Sequence, residues 1–383
     1  DRNPSSRCPA APRYELDLCA DMNLERSACV AIRLRSTFVQ ESIHGIDVPR
    51  VTAWLVENIE GATAPFRFDA IVGGRSNLTF TVTGADGTKY VLRRPPTGAV
   101  LATAHDMARE HKIISGVGKS SVPVPPALGL CTDDSVNGAP FYVMGFVDGV
   151  VLDSADKGAL LSVDNRRNAG FDLIDVLADL HAVDVDAVGL GDLAKREGYV
   201  ERQVKRWSTQ WERSKTRELP AVEEVARRLA ERFPEQQGVS IAHGDYRFGN
   251  VLTDVDRGRI NAVLDWELCT LGDPLADVGY IGVYWADPGT IQSRPNDPTG
   301  IEGFPTYAEL LERYATRTGR DLSQIDYYLA FGSFRLAVIS EGVYARYLHG
   351  AMGDQGISEE QLNAFKVGTE ILAESALDAM RRL

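Results

Sequence analysis

The segment IAHGDYRFGNVLTDVDRGRINAVLDWELCTLGDPLADVGY (241–280) sets polar groups among apolar, β-prone residues. Asp245 precedes Asn250 by five positions, and Asp265 follows Asn250 by fifteen, at the end of INAVLD. A carboxylate, an amide oxygen and a second carboxylate in this order are the parts that phosphoryl transfer needs. One carboxylate accepts or orients the proton of an attacking hydroxyl. The amide oxygen and the other carboxylate hold Mg²⁺ on the phosphates of a nucleotide. Asp245 is therefore the candidate base, and Asn250 and Asp265 are the candidate metal ligands.

A nucleotide also needs a cradle for its phosphates. VGGRSNLTF (72–80) lies between two expected strands. Gly73 and Gly74 let backbone N–H groups approach a phosphate, and Ser76 and Asn77 add hydrogen-bonding side chains. The strand YVLR (90–93) then ends on Arg93, a permanent cation that can grip phosphate through two nitrogens. Arg94 points to the opposite face if the strand is regular. Glu110, in the following helix (MAREHKI), is the expected ion partner of Arg93.

HGDYRFGN followed by LDWE and GDPLAD resembles the signature of aminoglycoside phosphotransferases and related small-molecule kinases. That group includes the kinase-like domain of some acyl-CoA dehydrogenase proteins, which the stretch around YVLRRPPTG resembles most. The resemblance covers roughly residues 48–380. It implies a bilobal, protein-kinase-like α+β fold, with a five-stranded small lobe and a mostly helical large lobe. It further implies that Asp245 is the catalytic base, with Asn250 and Asp265 on the metal. His243 would brace the catalytic loop and Asp277 would cap it from the next helix. The hinge would be Met144–Asp148, with Met144, Phe146 and the strand around Leu92 against the adenine of ATP. Arg93 stands where protein kinases place a lysine.

The periodicity supplies elements in the same order. Residues 1–47 read as an extension with a short helix around 24–38. A helix runs from about Val48 to Ile59, opened by Asp47 and Pro49. Strands follow at 66–72, 78–83 and 89–94, with a hairpin turn at 84–87. A helix over 103–117 precedes strands at 127–132 and 141–146, joined by the polar turn DDSVNG. After Gly149 the pattern is helical: 165–183, 201–213, 222–233, 274–285, 307–318, 325–348 and 359–380. A β-like interruption covers 241–251 and 260–264. The expected division is thus 1–47, a nucleotide-binding lobe over 48–148, and a helical lobe over 149–383.

Composition narrows the alternatives. With 44% hydrophobic and 25% charged residues, the chain is an ordinary globular protein and not a disordered, collagen-like or coiled-coil one. The net charge of −13 makes nucleic acid a poor partner. Nearly all of that charge falls in 149–383, which suits either solubility or a cationic substrate. No apolar run reaches the ~18 residues of a membrane helix. The first residues show no secretory pattern. Five cysteines without C-x-x-C spacing suggest reduced thiols and a cytoplasmic location.

Gly116–Ser120 imitates a P-loop but has Ile113 where glycine belongs, and it follows a helix. The remaining reading is an ATP- and Mg²⁺-dependent phosphotransferase acting on a small-molecule hydroxyl. The alternative is a nucleotide-binding pseudokinase, favoured by Arg93 and opposed by the intact Asp245, Asn250 and Asp265. An aminoglycoside-like amine and a hydroxyacyl metabolite both stay open as acceptor. The acceptor is expected beside the Gly/Pro-rich loop 287–305 and the helix carrying Glu341.

Overall fold

The computed structural model describes residues 43–71, 77–97, 106–288, 297–349 and 358–383. The helix expected around 24–38 and residues Gly73, Gly74 and Ser76 lie outside them.

The small lobe opens with α1 (Val48–Asn58), where the Asp47 side chain accepts from Arg50 N–H and proline occupies the first turn. Strands β1 (Arg67–Ala70), β2 (Leu78–Thr83) and β3 (Lys89–Arg94) form a meander. Helix α2 (Met107–Val117), strand β4 (Ala127–Cys131), the single turn α3 (Asp134–Asn137) and strand β5 (Phe141–Gly145) complete the lobe. The sheet order is β1-β2-β3-β5-β4, antiparallel throughout. DDSVNG, expected as a turn, winds into α3 because Asp133 caps it from outside by accepting Ser135 N–H.

The strand period of two decides which side chains reach the cleft. Phe80, Leu92 and Val143 pack with Val51 and Leu55 of α1 in a core of their own. Arg93 faces Tyr142 across the β3–β5 register, and Val91 faces Met144. Leu92 therefore points away from the cleft, and Val91, not Leu92, accompanies Met144 on the Arg93 side. This corrects the expected placement of the strand around Leu92 against the adenine.

The large lobe contains α4 (Ala155–Gly158), α5 (Val163–Ala182), α6 (Tyr199–Ser214) and α7 (Pro220–Glu231). Three-residue β6 (Ser240–Ala242) leads into the loop that carries Asp245. Strands β7 (Val251–Asp254) and β8 (Arg259–Val263) form a hairpin, and β9 (Thr270–Gly272) returns to pair with β6. Helices α8 (Leu275–Tyr284), α9 (Tyr307–Thr318), α10 (Ile325–Leu348) and α11 (Glu359–Met380) close the lobe. α10 is its central post: Tyr328, Phe331, Phe334 and Val338 are all buried.

The two small strand pairs position the chemistry. β6–β9 clamps both ends of residues 240–272, and β7–β8 folds the middle into a tight hairpin, so Asn250 and Asp265 emerge side by side. Leu264 N–H donates to Asn250 O at 2.8 Å, which fixes the two exits together. Cys131 and Cys269 are buried free thiols. Among the described residues no helix is long and apolar enough to cross a membrane.

Candidate active site

Arg93 is the hub of the small-lobe side. Its Nε lies 3.0 Å from Glu110 Oε2, its Nη2 lies 2.7 Å from Asp265 Oδ1, and Glu267 Oε2 is 3.7 Å away. Tyr142 donates its hydroxyl to Glu110 Oε2 at 3.1 Å, and Asn77 Nδ2 donates to Glu110 Oε1 at 3.2 Å. Burial pushes the Glu110 carboxyl above its ordinary range, and Arg93 partly offsets that rise. Burial also works against the Arg93 charge, but the surrounding carboxylates outweigh it and hold the guanidinium firmly protonated. Arg94 turns to the far face, where it donates to Asn137 O at 3.0 Å.

The loop that carries Asp245 is built on Asp277. This buried carboxylate accepts His243 N–H at 2.6 Å and Gly244 N–H at 2.8 Å, one on each oxygen. Asp277 lies in the first turn of α8, where the helix dipole favours negative charge. Burial would raise its carboxyl, yet the hydrogen bond from His181 and the backbone donors prevail, and it sits below the usual range. His181 itself is pushed down by burial and holds Asp277 Oδ2 at 3.4 Å and Tyr314 Oη at 2.8 Å.

His243 completes the brace. Its Nδ1 accepts Asp245 N–H at 3.2 Å and its Nε2 donates to Leu264 O at 2.8 Å, the pattern of the Nε2–H tautomer. The imidazole thus ties Asp245 to the segment that delivers Asp265. Gly244 adopts φ +84°, and a Cβ there would lie 2.8 Å from Leu268 O. Glycine is required at this turn on both counts.

Asn250 Nδ2 donates to Asp245 Oδ2 at 2.6 Å and to Asp245 O at 2.8 Å. The amide therefore orients the carboxylate and leaves its own Oδ1 as an acceptor. Arg247 Nε stands 3.5 Å from Asp245 Oδ1, with its guanidinium 4.9 Å from the Tyr284 ring centroid. Asp265 has φ +62°, the one positive φ outside glycine among the described residues. Such a backbone costs roughly 1–3 kcal/mol and persists where surrounding contacts enforce it.

These contacts gather Asn77, Arg93, Glu110 and Asp265 into one cluster and His243, Asp245, Asn250 and Asp277 into another, joined through Leu264. Met144 and Phe146 lie at the end of β5 and make no polar contact with either. Phe146 instead carries Lys89, whose ammonium is 5.0 Å from its ring centroid. Glu341, on the helix beside which the acceptor is expected, is fully buried, 3.1 Å from Arg217, and accepts Thr216 N–H at 3.0 Å. Its charge is spent inside the protein. Sequence reasoning passed over Glu267, two positions after Asp265 in LDWE. It also passed over Arg247, which stands inside HGDYRFGN.

A pocket of about 240 Å³ lies beside Gly244, bounded by α2, α6, α10 and residues 267–270. A groove of about 920 Å³ runs along the other side of α10, past Trp285, Asp297, Phe365 and Ile371.

The chain is similar to known proteins. A protein of Ralstonia eutropha JMP134, assigned to the aminoglycoside phosphotransferases, is 33% identical, with a TM-score of 0.72 over 87% of this chain and 98% of its own. Mouse acyl-CoA dehydrogenase family member 10 is 35% identical over 83% of this chain but only 29% of its own length. Human acyl-CoA dehydrogenase family member 11 is 31% identical over 88% of this chain and 44% of its own. The chain thus spans less than half of these curated relatives. Macrolide 2′-phosphotransferase from Brachybacterium faecium, at 19% identity and a TM-score of 0.52, shares the fold. The family model of the phosphotransferase enzymes matches residues 67–327, and with the kinase-like lobes and the Asp245 loop in view, the chain belongs to that family.

Proposed function

We propose that the protein transfers the γ-phosphate of ATP to a hydroxyl group of a small molecule, with Asp245 as the base. The observation that carries this reading is the Asp245–Asn250 pair. An amide aims a carboxylate at 2.6 Å while keeping its own oxygen free, beside a strained Asp265. The acceptor hydroxyl gives its proton to Asp245 as its oxygen bonds to the γ-phosphorus. The bond from that phosphorus to the β-phosphate oxygen breaks, and ADP leaves.

The donor set fits a hard cation. Asn250 Oδ1 and the carboxylates of Asp265 and Glu267 are all oxygen donors at one mouth of the cleft. Mg²⁺ bound there would neutralise charge on the transferring phosphate. Arg93 would meet phosphate oxygens at the point where it now meets Asp265. Asn77 and the glycines at 73 and 74 would cover the phosphates from above, with Ser76 adding a hydroxyl. Val91 and Met144 would line the adenine side, and Phe146 the hinge. The helical lobe would hold the acceptor, either an aminoglycoside-like amine or a hydroxyacyl compound.

A nucleotide-binding regulatory module is the second reading. It is favoured by one observation, the occupation of Asp265 by Arg93. Incubation with γ-labelled ATP and MgCl₂ across panels of aminoglycosides and hydroxyacyl compounds separates the two. Label transfer that disappears in Asp245→Ala supports the kinase. Nucleotide binding with no transfer to any panel member, and no ADP release above Asp245→Ala, supports the regulatory module.

A further inference from the structure

The small pocket beside the Asp245 loop contains a buried cation with no carboxylate of the described residues at ion-pair distance, although Asp245 and Asp277 favour its charge from farther away. Arg335, on α10, is 6% exposed. Its guanidinium lies 4.8 Å from the Tyr280 ring centroid and 5.4 Å from that of Trp207. No carboxylate of the described residues pairs with it, and its Nε is buried without a hydrogen-bond partner. Trp207 Nε1, on the same wall, is likewise buried and unpartnered. A second guanidinium, that of the exposed Arg206, stands 5.4 Å from the Trp207 ring centroid.

The carboxylates around this pocket are already engaged. Glu110 and Glu267 face Arg93, at 3.0 and 3.7 Å, and Asp106 caps α2 through Arg109 N–H at 2.9 Å. Arg109 turns its guanidinium to Cys269 O. The polar side chains that remain in the lining are Tyr199, Gln203, Arg206, Trp207, Thr270 and Arg335. An unpartnered buried N–H costs free energy, so Arg335 Nε and Trp207 Nε1 are both disposed to take an acceptor. Gly244 lines the same pocket, and the next residue is Asp245.

We propose that Arg335, assisted by Arg206 and Trp207 Nε1, anchors an anionic group of the acceptor, so that this phosphotransferase selects hydroxyl compounds bearing a carboxylate or a phosphate. This rests on the phosphotransfer reading and specifies its acceptor side. It departs from the expectation drawn from the acidic large lobe: the pocket next to Asp245 is lined by three acidic and three basic side chains, and its carboxylates Glu110 and Glu267 face Arg93 while Arg335 pairs with none. The Arg335 guanidinium fork suits a planar carboxylate, and a 240 Å³ pocket suits a small anionic end.

The test uses the full chain with saturating MgADP and calorimetric titration of four probes. These are inorganic phosphate, 3-hydroxybutyrate, its methyl ester and kanamycin. The expected result is binding of at least one anion, weakened by rising salt, with no binding of the ester. Arg335→Gln should weaken that binding by roughly 10–100-fold, the loss of one charge-assisted bond. Arg335→Lys should restore part of it, which a purely structural role would not do. Arg206→Gln, at an exposed position that does not endanger folding, should weaken it by a few-fold. Preference for phosphate over hydroxybutyrate assigns a phosphorylated acceptor, and the reverse assigns a carboxylate. Failure of both anions to bind, equal binding of ester and acid, stronger binding of kanamycin, or anion affinity unchanged in Arg335→Gln and Arg206→Gln would overturn the proposal. MgADP affinity, measured in the same samples, reports separately on the phosphotransfer reading, because Arg335 and Arg206 touch no nucleotide-side residue.

Discussion

Arg93 Nη2 and Asp265 Oδ1 meet at 2.7 Å, and this contact bridges β3 of the small lobe to the end of the β7–β8 hairpin in the large one. Arg93 reaches back to Glu110 through Nε, so one guanidinium joins a strand, a helix and the strained Asp265 turn. Asp265→Asn removes the charge and keeps the shape. Its ATP affinity should fall by roughly 10–100-fold with Mg²⁺ present and change little without it. ATP titrations with and without Mg²⁺ check this, and equal losses in both would remove Asp265 from the metal site.

Asp245→Ala should lower turnover by about 10²–10⁴-fold, the range that a positioned general base contributes. Nucleotide affinity should stay unchanged, because Asp245 contacts Asn250, Arg247 and the His243 brace and not the Arg93 cluster. Near-normal turnover in a folded variant would disprove the assignment.

The sequence displayed the strands, the long helices and the Asp245 loop because each rests on local patterning: alternation in LTFTVT, helical spacing in 325–348, and a run of polar residues at fixed separation. It did not display β9, a three-residue strand whose partner β6 is thirty residues upstream, since pairing at that range leaves no local period. Leu92 and Val91 illustrate the limit within a strand. Both are apolar, and only the α1 core shows which of them turns from the cleft. Glu341 and Arg335 sit six residues apart on α10 and carry opposite fates: one is paired to Arg217, the other unpaired beside Trp207. Nothing in their local sequence separates them, because the deciding neighbours come from α6 and the segment after it.

Acidification should destabilise the fold through His181. Burial holds its folded-state value below the ordinary imidazole value of 6.5, so between the two the unfolded chain binds a proton that the folded chain refuses. Stability therefore falls as pH drops below about 6.5. Asp277 adds to the loss at lower pH, since its depressed carboxyl contributes stability above the unfolded value of 3.8 that vanishes as pH passes down through the folded value. His181→Gln should melt lower at pH 7 but lose less on going to pH 5. Half-buried His111 is shifted in the same direction and leaves a residual slope. Thermal melts across this range check the prediction, and parallel pH curves for variant and parent would refute it.

Gly244→Ala tests whether the Asp277 clamp needs glycine. The backbone there is at φ +84°, where an added Cβ is disfavoured, and that Cβ would press on Leu268 O at 2.8 Å. Leu268 is backbone of the segment between Asp265 and β9, so it cannot retreat without moving Asp265. The turn must instead open, stretching the 2.8 Å bond from the residue 244 N–H to Asp277 and shifting Asp245. The expected cost is roughly 1–3 kcal/mol of stability, with turnover reduced more than acceptor KM is raised. The reason for that split is that the base moves while Arg93, Arg206 and Arg335 stay in place. Melting temperature and steady-state kinetics on the same preparation measure both effects. A variant with parental stability and turnover would show that the loop is held by something other than the Asp277 clamp.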